Sequence, residues 1–189
     1  MSGRYRTIVA DPPWDYGGYA TMPGNQRRKG HTTKRVDLPY ETLTVPEISA
    51  LPIRDLAAQG GAACFLWTTN RYLPDAFRVL TAWGFEYRQT FVWHKTGNPS
   101  PFGGTFAPNH AEYLLAGVCG TSRVTGRLTG SVIAAPKPYS HSQKPEIFLD
   151  LIEQISSGPR IELFARRQRL GWDTWGDEAL CHVGMGASA

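Results

Sequence analysis

Strand and helix signals alternate along the 189 residues, which predicts an α/β fold: a sheet with helices on both faces. Two observations carry that prediction. Short apolar runs, Ile8-Val9-Ala10 and the stretch from Gly61 to Trp67, read as buried strands. Between and after them apolar residues recur at helical spacing, as Leu73, Ala76, Phe77, Leu80 and Trp83, and again as Ile147, Phe148, Leu151, Ile152 and Ile155. The length suits a single domain over residues 1–189, large enough for a real core.

Met1 to Arg6 is a short polar lead to the first strand, which must end by Pro12. Proline has no N–H for a ladder, and its ring restricts the residue before it. Asp11, Pro12, Pro13 and Trp14 therefore stand at the carboxyl end of a strand, where open α/β sheets bind ligands. Residues 15–37 are poor in apolar side chains and carry Arg27, Arg28, Lys29, Lys34 and Arg35. A stretch of this kind reads as a mobile loop over the active site that touches phosphates, or as a solvated surface loop.

Thr44-Val45-Pro46-Glu47 has capping-box spacing with proline early in the helix, so a short helix should run to about Leu51. Asn70 is placed to cap the helix that contains Pro74 and ends at Gly84. Phe85 to Lys95 reads as a strand with aromatic residues on both faces. A glycine- and proline-rich loop over residues 98–110 leads to a strand near Glu112 to Val118. Another loop precedes a brief strand at Val132 to Ala135. An amphipathic helix is expected over 144–156, a strand over 160–164, an aromatic turn over 171–176 and a flexible tail over 181–189.

Composition narrows the classes. The net charge of +4 is mildly basic and compatible with a polyanionic partner. Cys64, Cys119 and Cys181 are odd in number and widely spaced, which points to reduced thiols in the cytoplasm and away from a disulfide frame or zinc site. No apolar run approaches a membrane span, no signal-peptide core opens the chain, and the five histidines show no metal-ligand spacing. There is no phosphate-binding Gly-x-x-x-x-Gly-Lys-Ser/Thr loop.

The chemistry that suits Asp11-Pro12-Pro13-Trp14 is work on the exocyclic amine of a nucleobase. Such an amine is a poor nucleophile because its lone pair is delocalised into the ring. Two acceptors gripping its N–H bonds favour a tetrahedral nitrogen. The Asp11 carboxylate can supply one and the Pro12 carbonyl the other, while Trp14 can stack on the base. The same residues also fit an ordinary proline turn with Trp14 packed in the core.

Asp11-Pro12-Pro13-Trp14 resembles the motif of S-adenosylmethionine-dependent adenine amino-methyltransferases, and more narrowly the family of the mRNA adenosine methyltransferase and its bacterial and phage relatives. Four further pieces match in order: Leu38-Pro39-Tyr40, Phe65-Leu66-Trp67, Trp93-His94-Lys95-Thr96, and Ser142-Gln143-Lys144-Pro145 followed by residues 161–166. The resemblance spans about residues 8–178. It implies a Rossmann-like methyltransferase fold with permuted motif order and a central, mostly parallel sheet. It implies S-adenosylmethionine as cofactor, with Lys144 on its carboxylate, Glu162, Arg166 and Arg169 around its ribose and nearby groups, Asp177 and Glu178 near its adenine, Asp11 at its amino group, and Phe164 also in the cofactor site. Gln168-Arg169 and Asp177-Glu178 depart from the side chains that other members carry at those places. The implied reaction is methylation of the adenine 6-amino group, with DNA preferred over RNA as the nucleic-acid partner. A silent nucleic-acid-binding partner subunit is the competing reading, and a homodimer or a partner subunit stays open.

Overall fold

A computed structural model describes residues 3–16, 42–97, 106–121, 124–138 and 143–176. Among these, seven strands form one sheet in the order β5-β3-β4-β2-β1-β6-β7. They are β1 (Thr7–Ala10), β2 (Gly61–Thr68), β3 (Glu86–Thr96), β4 (Ala111–Gly120), β5 (Val132–Pro136), β6 (Arg160–Leu163) and β7 (Trp172–Trp175). The central β1 pairs in parallel with β2 and β6, β6 with β7, and β3 with β5. Only β4 runs against its neighbours. The sheet is mostly parallel, as expected. Its carboxyl edge gathers the ends of six strands and the beginning of β4.

Helices cover both faces. On one lie α1 (Val45–Ala50), α2 (Ile53–Leu56) and α3 (Leu73–Ala82), packed over Ile8, Ala10, Cys64, Leu66 and Ile161. On the other lies α4 (Ile147–Ile155), over Val9, Phe65, Trp67, Phe91 and Trp93. Alternate residues of β1 and β2 thus serve separate cores, which is why these strands read as unbroken apolar runs. Cys64 and Cys119 are buried, and burial pushes the Cys64 thiol well above its ordinary range, as suits a packing residue.

The local signals were realised in most places. Thr44 and Glu47 close a reciprocal capping box at the start of α1. Gly84 ends the α3 segment at φ +78°, a conformation that needs no Cβ. The aromatic residues of the third strand do reach both faces, and the reason is a bulge. Phe91 and Trp93 face α4, whereas Tyr87, also odd-numbered, packs edge-on against Phe77 of α3. The register shift between Tyr87 and Gln89 exchanges the faces.

Three expectations are corrected, and one short helix is added. Asn70 does not cap α3, because Tyr113 and Asn109 engage its amide and Tyr72 takes the cap position. The 144–156 helix begins at Ile147, since Pro145 disfavours helical geometry at Lys144. Residues 172–175 form the edge strand β7 instead of a turn, held by the ladder to β6. The four-residue α2 is too short to show a helical period. Among the described residues, no helix is long and apolar enough to cross a membrane.

Candidate active site

The carboxyl edge is where β1 runs into Asp11. The turn that follows is fixed from several sides. The Trp14 N–H donates to the Pro12 carbonyl at 2.8 Å, and the Leu43 N–H donates to the Pro13 carbonyl at 2.9 Å. The Trp14 indole donates to the Trp67 carbonyl at 3.2 Å and its ring stacks on Tyr72, with centroids 5.0 Å apart. Trp14 is only 3% exposed. The expectation that it offers a free plate to a base is therefore corrected: its ring is part of the core and anchors the turn, because Tyr72 and the end of β2 enclose it.

Four charged side chains from four segments converge beside the turn. Lys144, just before α4, puts its Nζ 2.6 Å from Asp11 Oδ2 and 3.5 Å from Glu112 Oε2. Lys95 of β3 reaches the other Glu112 oxygen at 2.5 Å. Glu112 is the second residue of β4, opposite Trp93, so Lys95 lies diagonally across the ladder on the same face. The two ammonium groups also sit over indoles, Lys144 over Trp67 at 5.4 Å and Lys95 over Trp93 at 4.9 Å. The result is an alternating row, Lys95, Glu112, Lys144, Asp11, with no net charge.

Burial decides the titration of Asp11: it pushes the carboxyl above the usual aspartate range even with Lys144 beside it. Burial also works against the charges of Lys144 and Glu112, but there the opposite charges win. Asp11 and Glu112 hold the Lys144 ammonium well above the usual lysine range, and Lys144 and Lys95 hold Glu112 below the usual glutamate range. Lys144, expected on a cofactor carboxylate, thus has two protein carboxylates as neighbours. Glu112 is the residue that the sequence reading missed. Its signal was a lone acid opening an apolar strand. That it reaches this edge depends on β4 being the one strand with its beginning there.

The β6 side of the edge differs. Glu162 faces α4 with one oxygen, Oε2, buried and without a hydrogen bond among the described residues. Burial pushes its carboxyl up to about 7, against the pull of Arg167. Phe164 follows at φ +61°, unusual for a bulky residue, and packs edge-on against Trp175. A Cβ on Gly176 would lie 2.6 Å from the Ala165 carbonyl oxygen, so only glycine lets the end of β7 approach this turn. Arg166 lies near enough to Asp11 to draw its pKa downward.

Arg169 is placed elsewhere. Its three nitrogens meet Glu153, Glu146 and Asp150 along α4 at 2.9, 3.0 and 2.6 Å. This corrects the expectation of a ribose contact: two carboxylates of α4 and that of its N-cap residue, Glu146, hold the guanidinium and strap the segment after β6 to α4. Asp177 and Glu178, and the basic residues Arg27, Arg28, Lys29, Lys34 and Arg35, lie outside the described residues.

An unsatisfied carboxylate oxygen at a strand end suits a ligand that presents hydroxyl donors, such as a ribose diol. The Arg166 cation, close enough to Asp11 to act on its titration, suits the carboxylate at its other end. The donor set therefore fits S-adenosylmethionine.

Comparison with known proteins agrees. The MT-A70 family model matches residues 5–178. The Type II methyltransferase M.MunI of Mycoplasma sp is 31% identical over 188 residues, covering 93% of this chain and 78% of that protein. The human N(6)-adenosine-methyltransferase catalytic subunit METTL3 is 29% identical over 184 residues, and the Drosophila melanogaster N(6)-adenosine-methyltransferase MT-A70-like protein 28%. The chain spans about a quarter of the length of these two, 28% and 27%. A Rossmann-like sheet, a buried Asp-Pro-Pro-Trp turn at its carboxyl edge and a family match over nearly the whole length place this chain in the MT-A70 family of methyltransferases, which use S-adenosylmethionine as methyl donor.

Proposed function

We propose that this protein methylates the 6-amino group of adenine in DNA. The observation that carries the reading is a half-buried carboxylate, Asp11, at the end of the central strand, next to a carbonyl that a double-proline turn holds rigid and with its charge matched by Lys144 at 2.6 Å. When bound, S-adenosylmethionine supplies an electrophilic methyl group on a sulfonium. Everything else falls to the chain's own residues.

Asp11 accepts one N–H of the amine. The Pro12 carbonyl already takes the Trp14 N–H on one lone pair and has a second for the other amine hydrogen. Gripped from both sides, the nitrogen is drawn toward tetrahedral geometry and its lone pair is freed from the ring. Held so, the nitrogen would take the methyl group that a bound S-adenosylmethionine would supply, its carbon–sulfur electrons staying on sulfur, and the nitrogen would pass its spare proton to solvent water. Lys144 keeps Asp11 ionised for this work, and Glu112 and Lys95 keep Lys144 in place. Much of the acceleration comes from such positioning. The target base must leave its stack, because its 6-amino group has to reach Asp11 in the recess at the sheet edge. Glu162 takes the ribose hydroxyls of the cofactor, and Arg166 serves its polar end. The basic residues 27–35 are read as phosphate contacts, and the thiol chemistry as that of a cytoplasmic protein.

The test is methyl transfer from labelled S-adenosylmethionine to matched DNA and RNA oligonucleotides, single- and double-stranded, with the product nucleoside identified. N6-methyladenine in DNA is the expected product. Methylation of RNA alone moves the reading to the activity that the adenosine methyltransferase relatives carry in their names. Cofactor binding without transfer to any of the four, or no cofactor binding at all, favours a partner subunit that has lost catalysis.

A further inference from the structure

With Trp14 enclosed in the core, a different residue must meet bases at the mouth of the site. Around this edge Trp14, Trp67, Tyr72 and Trp93 are each at most 9% exposed, and the half-buried Tyr16 and Tyr113 have their hydroxyls bonded to Thr69 and Asn70. Phe106 is the contrast, fully exposed at 101%. It stands four residues before His110, whose carbonyl accepts the Lys95 N–H at 2.8 Å, and six before Glu112 of the charged row.

The chain between Phe106 and the site has a firm footing. Asn109 accepts from the Asn70 amide at 2.5 Å, and the Tyr113 hydroxyl donates to the same Asn70 side chain at 2.7 Å. The loop after β2 and the entry to β4 are thus tied together beside the opening. Four residues of chain reach at most about 14 Å. That bounds Phe106 to within about 14 Å of His110, which is bonded to the end of β3 at the edge that carries Asp11.

We infer that Phe106 is a nucleic-acid-binding residue that stacks on the base flanking the target adenine. The inference rests on the proposed adenine methylation of nucleic acid. A base that enters the pocket leaves its neighbour with one uncovered face. An aromatic ring at the rim can cover that face, and stacking is indifferent to which base it is. Phe106 is out in water, so its role lies outside folding, and its replacement leaves the core untouched.

The experiment uses the full chain and the oligonucleotide that the wild-type protein methylates, with 2-aminopurine placed beside the target adenine as a stacking reporter. Phe106→Ala should raise KM for the oligonucleotide about five- to 150-fold, the range for loss of one base–aromatic stack. It should keep kcat at saturation and the affinity for S-adenosylmethionine, and abolish the change in 2-aminopurine fluorescence on binding. Phe106→Trp should restore both readouts. An oligonucleotide that is abasic at the flanking position should erase the difference between wild type and Phe106→Ala. Equal KM and equal fluorescence change for wild type and Phe106→Ala overturn the stacking role while leaving adenine methylation standing. A wild-type protein that methylates no oligonucleotide overturns the underlying reading, and this inference with it.

Discussion

The two halves of the carboxyl edge treat their acids in opposite ways. On the side of β1, β2, β4 and β3, Asp11 and Glu112 are each matched by a lysine, and four charges neutralise one another before any ligand arrives. On the side of β6, Glu162 keeps a buried oxygen that nothing among the described residues satisfies. The first arrangement holds a reactive geometry ready. The second leaves an unsatisfied group for a ligand to complete, because a buried acceptor gains most from the partner it lacks. One half of the site is thus preorganised chemistry and the other half is a binding surface.

The strongest way to break this contrast is at Asp11. Asp11→Asn keeps the size of the side chain but removes the charge and turns one acceptor into a donor. We expect kcat to fall about 10²–10³-fold, the usual cost of one positioned hydrogen-bonding group at a reacting centre. Cofactor affinity, measured by calorimetry, should stay within a few-fold. Near-normal turnover would remove Asp11 from the mechanism.

Next in size is Lys144→Met, which strands two carboxylates around one missing cation. The pair is about one-fifth exposed, so the loss should be about 2–3 kcal/mol, somewhat under the ~3–5 for breaking a fully buried pair. The sign with pH follows from Asp11. Burial already raises its pKa, and without Lys144 it rises further, so the deficit should be largest above neutrality and shrink as pH falls and the carboxyl takes up a proton. Urea denaturation at several pH values checks this, and Asp11→Asn in the same chain should recover much of the loss. A deficit that does not change with pH would mean that Lys144 supports the fold by packing alone.

The smallest effect sharpens the other half. Glu162 has a pKa raised to about 7, and its charged form is the better acceptor for ribose hydroxyls. Cofactor affinity should therefore weaken as pH drops through about 7, with a proton released on binding near that pH. Glu162→Gln should lose about tenfold in affinity at pH 8, or roughly 1.4 kcal/mol, and lose the pH dependence as well. A pH dependence that survives this substitution belongs to another group.

Much of the fold was legible because its signals are local. The buried runs at β1 and β2 and the helical spacing of α3 and α4 act within a few residues, and so does the Thr44–Glu47 capping box. The sites diverged from the reading where a side chain had to choose among partners. Trp14 could face a base or the core, and Tyr72 settled that. Arg169 could face a ribose or a helix, and two acids of α4 with that of its N-cap residue settled that. Lys144 was read as a cofactor contact, but the partner it meets, Asp11, lies 133 residues away.

By itself, then, the chain's sequence determined that a strand would end in a carboxylate, a rigid turn and an indole, because proline geometry and apolar runs are properties of adjacent residues. The tertiary structure decided which charges meet that carboxylate. Running β4 antiparallel between β2 and β3 brings its first residues to the carboxyl edge, and Glu112 with them. Coulomb attraction between buried groups depends on distance in space, and the order of strands in the sheet, set by how two cores pack, is what fixes that distance.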